Sequence, residues 1–268
     1  MDAPIIPKAN DLRVVDLVQT GRLRVALFPP QYTKDPVSGE LRGAGPGPAF
    51  LDIARALADR IGVEVQLLGY QTPDEVIECL NSGTCDVAFM GSERAGKVDL
   101  SSPILELDYT CLVPAGSTIH RMADVDRPGV RIAAVRNHLS TLALSRILKH
   151  AELVTAETPD ATFALLCSGN FEAMAQVRPA LLDYSTKLPG SRVLADRYGI
   201  NPGSIVVAKG QAGWLAYINE YVEDAKVLGL MQRAIDRAGL RGVQVAPAGK
   251  PKAKKSSVKE RGPSNRQL

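Results

Sequence analysis

The sequence lacks the patterns that mark several common protein classes. It holds no run of 18 apolar residues, roughly the length that a membrane-spanning helix needs. None of its 4 cysteines stands in a Cys-x-x-Cys pair and its 3 histidines are far apart, so no zinc or thioredoxin-like spacing is present. Neither the Gly-x-Ser-x-Gly turn of hydrolases nor a phosphate-binding P-loop occurs. We therefore expect no metal and no cofactor.

The start of the chain also has little continuous apolar sequence. Charged residues interrupt it throughout, at Asp2, Lys8, Asp11, Arg13 and Asp16. A secretory signal needs an unbroken apolar core, so none is visible here. Three explanations stay open: a signal already removed, a true start further upstream, or a protein that stays inside the cell. We treat residues 1–19 as an N-terminal extension.

The net positive charge of the chain comes from its end and not from its body. The 268 residues are 45% hydrophobic and 23% charged, which is ordinary for a globular protein of two modest domains. The net charge is +3, but residues 247–268 alone carry seven basic side chains and one acid. No aromatic residue stands among those charges to stack on bases, so we predict a disordered basic tail and no nucleic-acid partner.

Two of the cysteines stand close together in the sequence. Cys79 and Cys85 flank a turn at residues 81–84, which read Asn-Ser-Gly-Thr. The pair can bridge in an oxidising compartment or remain two small buried residues, because this spacing alone sets no disulfide geometry. Cys111 and Cys167 stand inside separate apolar runs. Both alternatives for the first pair stay open.

Hydrophobic periodicity divides the chain into two similar halves. Strand and helix patterns alternate from Arg22 to Met90 in the order β-α-β-α-β, which predicts a parallel sheet with helices on its faces. The stretch from Gly129 to Val177 repeats that order. Both halves start their second helix with Thr-Pro-Asp, at residues 72–74 and 158–160, which is a capping threonine followed by proline and an acid.

Two halves of this kind indicate an α/β fold of two Rossmann-like lobes with a central ligand cleft. We place the first lobe at residues 20–113 plus 205–246, with the second lobe, residues 118–200, inserted between those segments. The two crossings, near Val113–Ser117 and Pro202–Val206, would form a hinge. We expect no continuous sheet through both lobes.

The strand ends indicate where a ligand would bind. Ligands of open α/β sheets bind beyond the carboxyl ends of the strands and at domain interfaces. Four segments are therefore expected to line the cleft: Phe28–Tyr32, Met90–Arg94, Val135–Thr141 and Ala175–Pro179.

Several segments resemble a known family in their order along the chain. Gly21–Val25 is similar to its opening strand, residues 51–58 to its first helix and residues 80–87 to its leucine–x–x–glycine–x–x–aspartate–valine turn. Glu93-Arg94, followed by residues 98–103 (Val-Asp-Leu-Ser-Ser-Pro), is the most specific match. Together they resemble the solute-binding proteins of bacterial ABC importers, in the polar amino-acid class with the type II periplasmic-binding fold.

The resemblance implies a site that both lobes share. An arginine at the position of Arg94 holds the ligand carboxylate in this family, and a guanidinium presents the parallel donors that such a carboxylate needs. Gly91, Ser92 and Tyr32 are expected beside it on the first lobe. From the second lobe we expect these ligand-binding residues: Arg136, Asn137, His138, Gln176 and Arg178.

The sequence departs from the family where an amino group would be recognised. The family's aspartate for the ligand ammonium would fall near Val177, where the chain reads Ala-Gln-Val-Arg. A buried ammonium left without a counter-ion is unfavourable. Arg94, Arg136 and Arg178 together favour an acidic ligand that lacks an amine.

The resemblance therefore implies a binding protein and not an enzyme. We expect the solute-binding component of an ABC-type importer, which closes at its hinge on a small anionic or amino-acid-like solute bearing a carboxylate. Its partner would be the membrane permease of the transporter, its location the periplasm and its state a monomer. Two alternatives stay open, namely a dehydratase-like enzyme on the same fold, and an intracellular small-molecule-sensing module in the cytoplasm.

Overall fold

A mixed β-sheet flanked by helices forms the framework of the molecule in its computed structural model, which describes residues 11–92 and 96–249. The helices, in chain order, are α1 (Val15–Thr20), α2 (Gly47–Ile61), α3 (Pro73–Asn81), α4 (Leu139–Ser145), α5 (Pro159–Cys167), α6 (Arg178–Ser185), α7 (Ala212–Val227) and α8 (Leu230–Arg237). The strands are β1 (Arg22–Leu27), β2 (Tyr32–Lys34), β3 (Leu41–Gly43), β4 (Glu64–Gly69), β5 (Val87–Gly91), β6 (Asp99–Leu100), β7 (Leu105–Val113), β8 (Arg131–Val135), β9 (Glu152–Ala156), β10 (Ala173–Val177), β11 (Arg192–Val193), β12 (Gly199–Val207) and β13 (Val243–Val245).

The helix starts follow the capping signals read from the sequence. The Thr72 hydroxyl accepts a hydrogen bond from the Glu75 N–H at 3.2 Å, and the Thr158 hydroxyl accepts one from the Ala161 N–H at 3.1 Å. These contacts satisfy one unpaired backbone donor at the start of α3 and of α5. Helix α2 is terminated by Gly62, which adopts φ +86°, a left-handed conformation that glycine reaches without strain.

The sheet is continuous through both halves of the chain, contrary to the expectation from the sequence. Its main strand order is β4-β1-β5-β12-β7-β10-β8-β9, with β6, β11 and β13 added at the centre. The two long strands β7 and β12 pair antiparallel, with Leu105–Tyr109 opposite Gly199–Gly203. β12 also pairs with β5 of the first half, and β7 also pairs with β10 of the second half. The hydrogen bonds between β7 and β12 therefore join the parallel strands of the two halves in one sheet. The sequence pattern could not show this pairing, since it links segments about 90 residues apart.

The hydrophobic core divides into separate clusters even though the sheet does not. Two clusters cover the faces of β1, β4 and β5, and two others cover the faces of β8 and β10. Along β7, Leu105 and Leu107 pack in the first set, whereas Cys111 and Val113 pack in the second. The change of core thus falls between Leu107 and Cys111, and the crossing at Val113–Ser117 stays a prediction. This separation gives an α/β architecture with two lobes.

Two of the predicted segments lie outside the described residues. They are residues 1–10 of the N-terminal extension and residues 250–268, most of the basic tail. In the described part of the chain, no helix is both long and apolar enough for a transmembrane span.

Candidate functional site

Strands from both lobes end against the middle of β7 from opposite directions. β5 ends at Gly91 beside Gly203 of β12, and Gly203 pairs in turn with Leu105 of β7. β10 runs the other way and ends at Val177, which pairs with Tyr109 of β7. Positions 105 and 109 are about 13 Å apart along an extended strand. We call the space between these strand ends the cleft.

The first-lobe side of the cleft contains three of the residues predicted from the sequence. The Tyr32 hydroxyl donates to the Tyr70 carbonyl oxygen at 3.0 Å, so the ring is held against the end of β4. Gly91 is half-buried and Ser92 is exposed. Arg94, the predicted carboxylate-binding residue, lies outside the described residues together with Glu93 and Ala95. Its role stays a prediction.

On the second-lobe side, the structure brings His138 and Gln176 together through Ser140. His138 caps α4, because its Nδ1 accepts from the Ser140 N–H at 3.3 Å and lies 2.8 Å from Ser140 Oγ. An accepting Nδ1 places the proton of the neutral imidazole on Nε2. Ser140 Oγ in turn lies 3.5 Å from Gln176 Oε1.

The buried amide of Gln176 has a defined orientation. Its Oε1 accepts from the Val177 N–H at 2.9 Å, so its Nε2 must point the other way. The residue is only 3% exposed. Within residues 11–92 and 96–249, the hydrogen bonds of this amide are those that Oε1 accepts, and Nε2 is not among the fully buried atoms without a partner. This leaves one oriented amide donor at the end of β10, next to the cleft.

Arg136 and Asn137 form the turn between β8 and α4. Arg136 is exposed and pairs with Glu157 at 2.5 Å, a surface ion pair of little energetic value. Asn137 has φ +58°, a left-handed conformation that asparagine tolerates better than most residues. The turn places both residues at the rim of the second lobe.

The Arg178 side chain, predicted to contact a ligand, makes internal hydrogen bonds in the structure. Its guanidinium donates from Nε to Asp108 Oδ2 at 3.0 Å, and from its other nitrogens to the carbonyl oxygens of Leu194, Ala195 and Asp196 at 2.8, 2.9 and 3.3 Å. These acceptors use four of the five N–H groups of the side chain. The geometry therefore supports a structural role for Arg178, and its ligand contact stays a prediction.

Asp108 is the centre of a polar network that sequence reasoning missed. Its carboxylate accepts from Arg178, from Arg197 Nη1 at 2.9 Å and from Gln244 Nε2 at 3.3 Å. Gln244 comes from β13, beside the first-lobe part of β7, whereas Arg178 starts α6 of the second lobe. The only available signal was an acid, Asp108, next to the apolar run that starts at Tyr109, which indicates a partner without identifying it.

Tyr198 joins the crossing segment before β12 to the second-lobe edge. Its hydroxyl donates to the Ser140 carbonyl oxygen at 3.1 Å, and its ring lies 5.9 Å from that of Tyr109. Burial raises the pKa of the Tyr198 phenol, so it stays protonated and can remain a donor. Sequence reasoning missed this residue too, because nothing in its local pattern places it beside α4.

Acidic side chains are nearly absent from the strand-end segments. Residues 28–32, 135–141 and 175–179 contain none, and the fourth segment contains only Glu93. Within the described ranges, no three His, Cys, Asp or Glu side chains are grouped as metal ligands. The strand-end segments therefore offer hydroxyl, amide, imidazole and backbone donors, and the two acids of the β7 stretch between them, Glu106 and Asp108, are both paired with Arg197.

A separate cavity of about 560 Å³ lies at the opposite end of the first-lobe strands, lined in part by Arg13, Arg24 and Asp86. Its cations are already neutralised, Arg24 by Asp86 at 2.6 Å and Arg13 by Glu220 at 2.7 Å. It lies far from the strand ends that form the cleft. The cleft is therefore the better candidate site.

Comparison with known sequences identifies a family over most of the chain. The profile of the bacterial extracellular solute-binding proteins, family 3, matches residues 29–239. The virulence sensor protein BvgS of Bordetella pertussis is 26% identical over 181 residues, which cover 63% of this chain but 14% of the sensor. The chain thus corresponds to a small part of that longer protein.

Several solved structures of similar fold are described as binding amino acids. The ancestral amino acid-binding protein AncCDT-1, a precursor of cyclohexadienyl dehydratase, has a TM-score of 0.57 and 25% identity over 84% of this chain and 97% of its own. The binding component of an ABC transporter from Wolinella succinogenes, complexed with lysine, has a TM-score of 0.60 and 22% identity over 81% and 95%. A solute receptor for L-cysteine from Neisseria gonorrhoeae has a TM-score of 0.56 and 21% identity over 85% and 94%.

Proposed function

Because the chain belongs to family 3 of the bacterial extracellular solute-binding proteins, we propose that it binds a small carboxylate-bearing solute in the cleft and closes on it. The observation that carries this proposal is the convergence of the β5 and β10 ends on one stretch of β7. Hinge closure around a central ligand is characteristic of periplasmic binding proteins. Closure would bend β7 and β12 between the two sets of core clusters.

The solute is proposed to be an anion without an amine. Amino-acid-binding relatives argue for a carboxylate, but an α-ammonium also needs a counter-ion in a closed site. Glu157, the acid that contacts the second-lobe turn through Arg136, is itself exposed. The donors at the cleft edge, including Gln176 Nε2, suit carboxylate oxygens instead.

Arg94 is proposed to provide the main cation, with Ser92 and the backbone at Gly91 beside it. His138, Asn137 and Gln176 would complete the site from the second lobe after closure. Arg136 would contribute only if the ligand displaces Glu157. This assignment follows the family resemblance for Arg94 and the cleft geometry for the others, and it leaves out Arg178.

The first experiment identifies the ligand class with pairs of compounds, in which one member carries an α-ammonium group and the other lacks it. Glutarate is compared with glutamate, and succinate with aspartate, by thermal shift followed by titration calorimetry. A ligand that binds only the folded protein raises Tm in proportion to ln(1 + [L]/Kd). We expect the diacid of a pair to raise Tm more than its amino acid. Tighter binding of the amino acids would refute the proposed ligand class.

The second experiment tests Arg94 with the strongest ligand from that screen. Arg94→Ala is expected to weaken binding by about 2–5 kcal/mol, because a charged fork is removed from a desolvated site. Arg94→Lys should recover only part of the affinity, since a lysine lacks the fork. Arg55→Ala, on the exposed face of α2, is the matched control and should bind like the parent. Unchanged affinity of Arg94→Ala would remove Arg94 from the site.

The proposed role is that of the periplasmic component of an ABC importer, delivering solute to a membrane permease. The likeness to BvgS favours a second role, in which the same module senses a solute for a signalling protein. Uptake of the labelled ligand separates the two. Loss of the gene should abolish high-affinity uptake in the importer case and leave it unchanged in the sensor case.

An enzymatic role on this fold is the weaker alternative. The likeness to a precursor of a dehydratase raises it, but a dehydration needs a positioned proton donor, such as a carboxyl group or an imidazole. Among the cleft segments, only residues 90–94 include an acid, Glu93. The bound ligand should be recovered unchanged after prolonged incubation, as checked by NMR.

A further inference from the structure

Cys79 and Cys85 are brought together by the turn between α3 and β5. The carbonyl oxygen of Cys79 accepts from the Thr84 N–H at 3.0 Å and from the Cys85 N–H at 3.3 Å. Gly83, with φ +71°, makes the left-handed step that reverses the chain. A backbone hydrogen bond between two residues holds their Cα atoms about 5–6 Å apart, which is within the range that disulfides need.

Both side chains are buried in the same apolar cluster. Cys79 is 5% exposed and Cys85 is 3% exposed, and each is a free thiol in this structure. The other two cysteines are placed differently, because Cys111 is buried in a second-lobe cluster and Cys167 is exposed at the end of α5. Only the first pair therefore combines adjacency with a shared pocket.

The sulfur of Cys79 is also connected to the cleft edge. The Tyr70 hydroxyl donates to Cys79 Sγ at 2.7 Å, and the Tyr70 N–H donates to the carbonyl oxygen of Leu27, the last residue of β1, at 2.9 Å. The Tyr70 carbonyl oxygen accepts from the hydroxyl of Tyr32. One hydrogen bond therefore separates this sulfur from a residue that positions the first-lobe edge.

We propose that Cys79 and Cys85 are a disulfide site, and that the bond ties the end of α3 to the start of β5 beneath the first-lobe edge of the cleft. The oxidant is a disulfide, either of a small thiol such as glutathione or of an oxidoreductase. One cysteine thiolate attacks that disulfide, forming a mixed disulfide and releasing one thiol. The second cysteine thiolate then displaces the second thiol. Two cysteine protons thus leave, and both sulfurs of the oxidant are reduced.

The burial of the pair determines when the bond forms. Desolvation raises the pKa of the Cys85 thiol far above its ordinary value, so the nucleophilic thiolate is scarce in the folded protein. Oxidation should therefore be fast while the chain folds and slow once the turn has closed. A closed bond would constrain a seven-residue loop, which restricts the unfolded chain and raises Tm.

The test is refolding of the full chain in a mixture of reduced and oxidised glutathione, followed by alkylation and intact mass. We expect two alkylated cysteines per chain instead of four, with peptide mapping that links Cys79 to Cys85. The oxidised protein should melt several degrees above the reduced one. Cys111→Ala/Cys167→Ser should show the same link and the same rise with no alkylated cysteine, whereas Cys79→Ser should keep three alkylated thiols and show no such rise.

Other results of that experiment overturn the proposal. Four alkylated thiols, glutathione adducts on Cys79 or Cys85, or a bond that involves Cys111 or Cys167 would each show that the pair does not bridge. If Cys79→Ser fails to fold, Cys111→Ala/Cys167→Ser decides by itself, because it contains no other pair. The outcome is independent of the proposed ligand, since no ligand is needed for the measurement.

Discussion

Replacing Arg178 distinguishes a structural role for this residue from the ligand role that its sequence position predicts. The structure shows an arginine that is 14% exposed beside Asp108, which is 4% exposed. Arg178→Ala removes four hydrogen bonds and leaves three backbone carbonyls and one carboxylate short of donors. We expect the free energy of unfolding to fall and the ligand affinity of the folded protein to stay unchanged.

The magnitude follows from what remains around Asp108. Removing one partner of a buried ion pair typically costs about 3–5 kcal/mol. Arg197 and Gln244 still donate to this carboxylate, so we expect a loss of about 3–4 kcal/mol. For a protein of this size, that corresponds to a fall in Tm of roughly 6–16 °C.

Arg197→Ala is the matched control on the same carboxylate. Its side chain is 46% exposed, so solvent screens its ion pairs with Glu106 and Asp108. We expect a loss of about 1 kcal/mol or less. The contrast between the two arginines tests the effect of burial, because both contact Asp108.

Stability is measured by urea unfolding. The transition is monitored by circular dichroism and by the fluorescence of the single tryptophan, Trp214, which is buried in the first lobe. If the two signals give the same transition, unfolding is two-state and a free energy of unfolding can be calculated. Ligand affinity is then measured on the folded variants. If Arg178→Ala keeps the stability of the parent but loses ligand affinity, the structural assignment is wrong and the sequence prediction is right.

Three further predictions concern local structure. Thr158→Ala should cost about 1 kcal/mol in urea unfolding, because it removes the cap of α5. Backbone N–H donors lower the pKa of Asp126 in the folded protein. The charged carboxylate therefore stabilises the fold above a pH of about 4, and this stabilisation is lost as the pH falls further. The difference in Tm between the parent and Asp126→Ala should be smaller at a pH of about 2.5 than at neutral pH. Gly47→Ala should cost at least about 2 kcal/mol by chemical denaturation, because a Cβ would lie 1.7 Å from the Gln31 carbonyl oxygen, whereas Gly213→Ala, in ordinary contact at 3.7 Å, should be neutral or stabilising. Equal effects of the two glycine changes would contradict the packing argument.

Local patterns were sufficient for the repeated strands and helices of the two halves and for the family. The capped starts at Thr72 and Thr158 and the buried face of α2 follow from side chains that interact within one or two turns. The repeated β-α-β-α-β order follows from the same short-range periodicity, and the ordered segments pointed to the family that the comparison shows. These inferences succeeded because the physical interactions behind them span only a few residues.

The tertiary structure alone decided which distant residues share a partner. Arg178 carries a charge that suits a ligand carboxylate as well as it suits Asp108, 70 positions earlier, and only the fold places the two 3.0 Å apart. The antiparallel pairing of β7 with β12 likewise joins lobes that the sequence pattern treats as separate. Sequence determines what a side chain can bind, but the choice among acceptors depends on which desolvated partner the packed chain brings within hydrogen-bond distance.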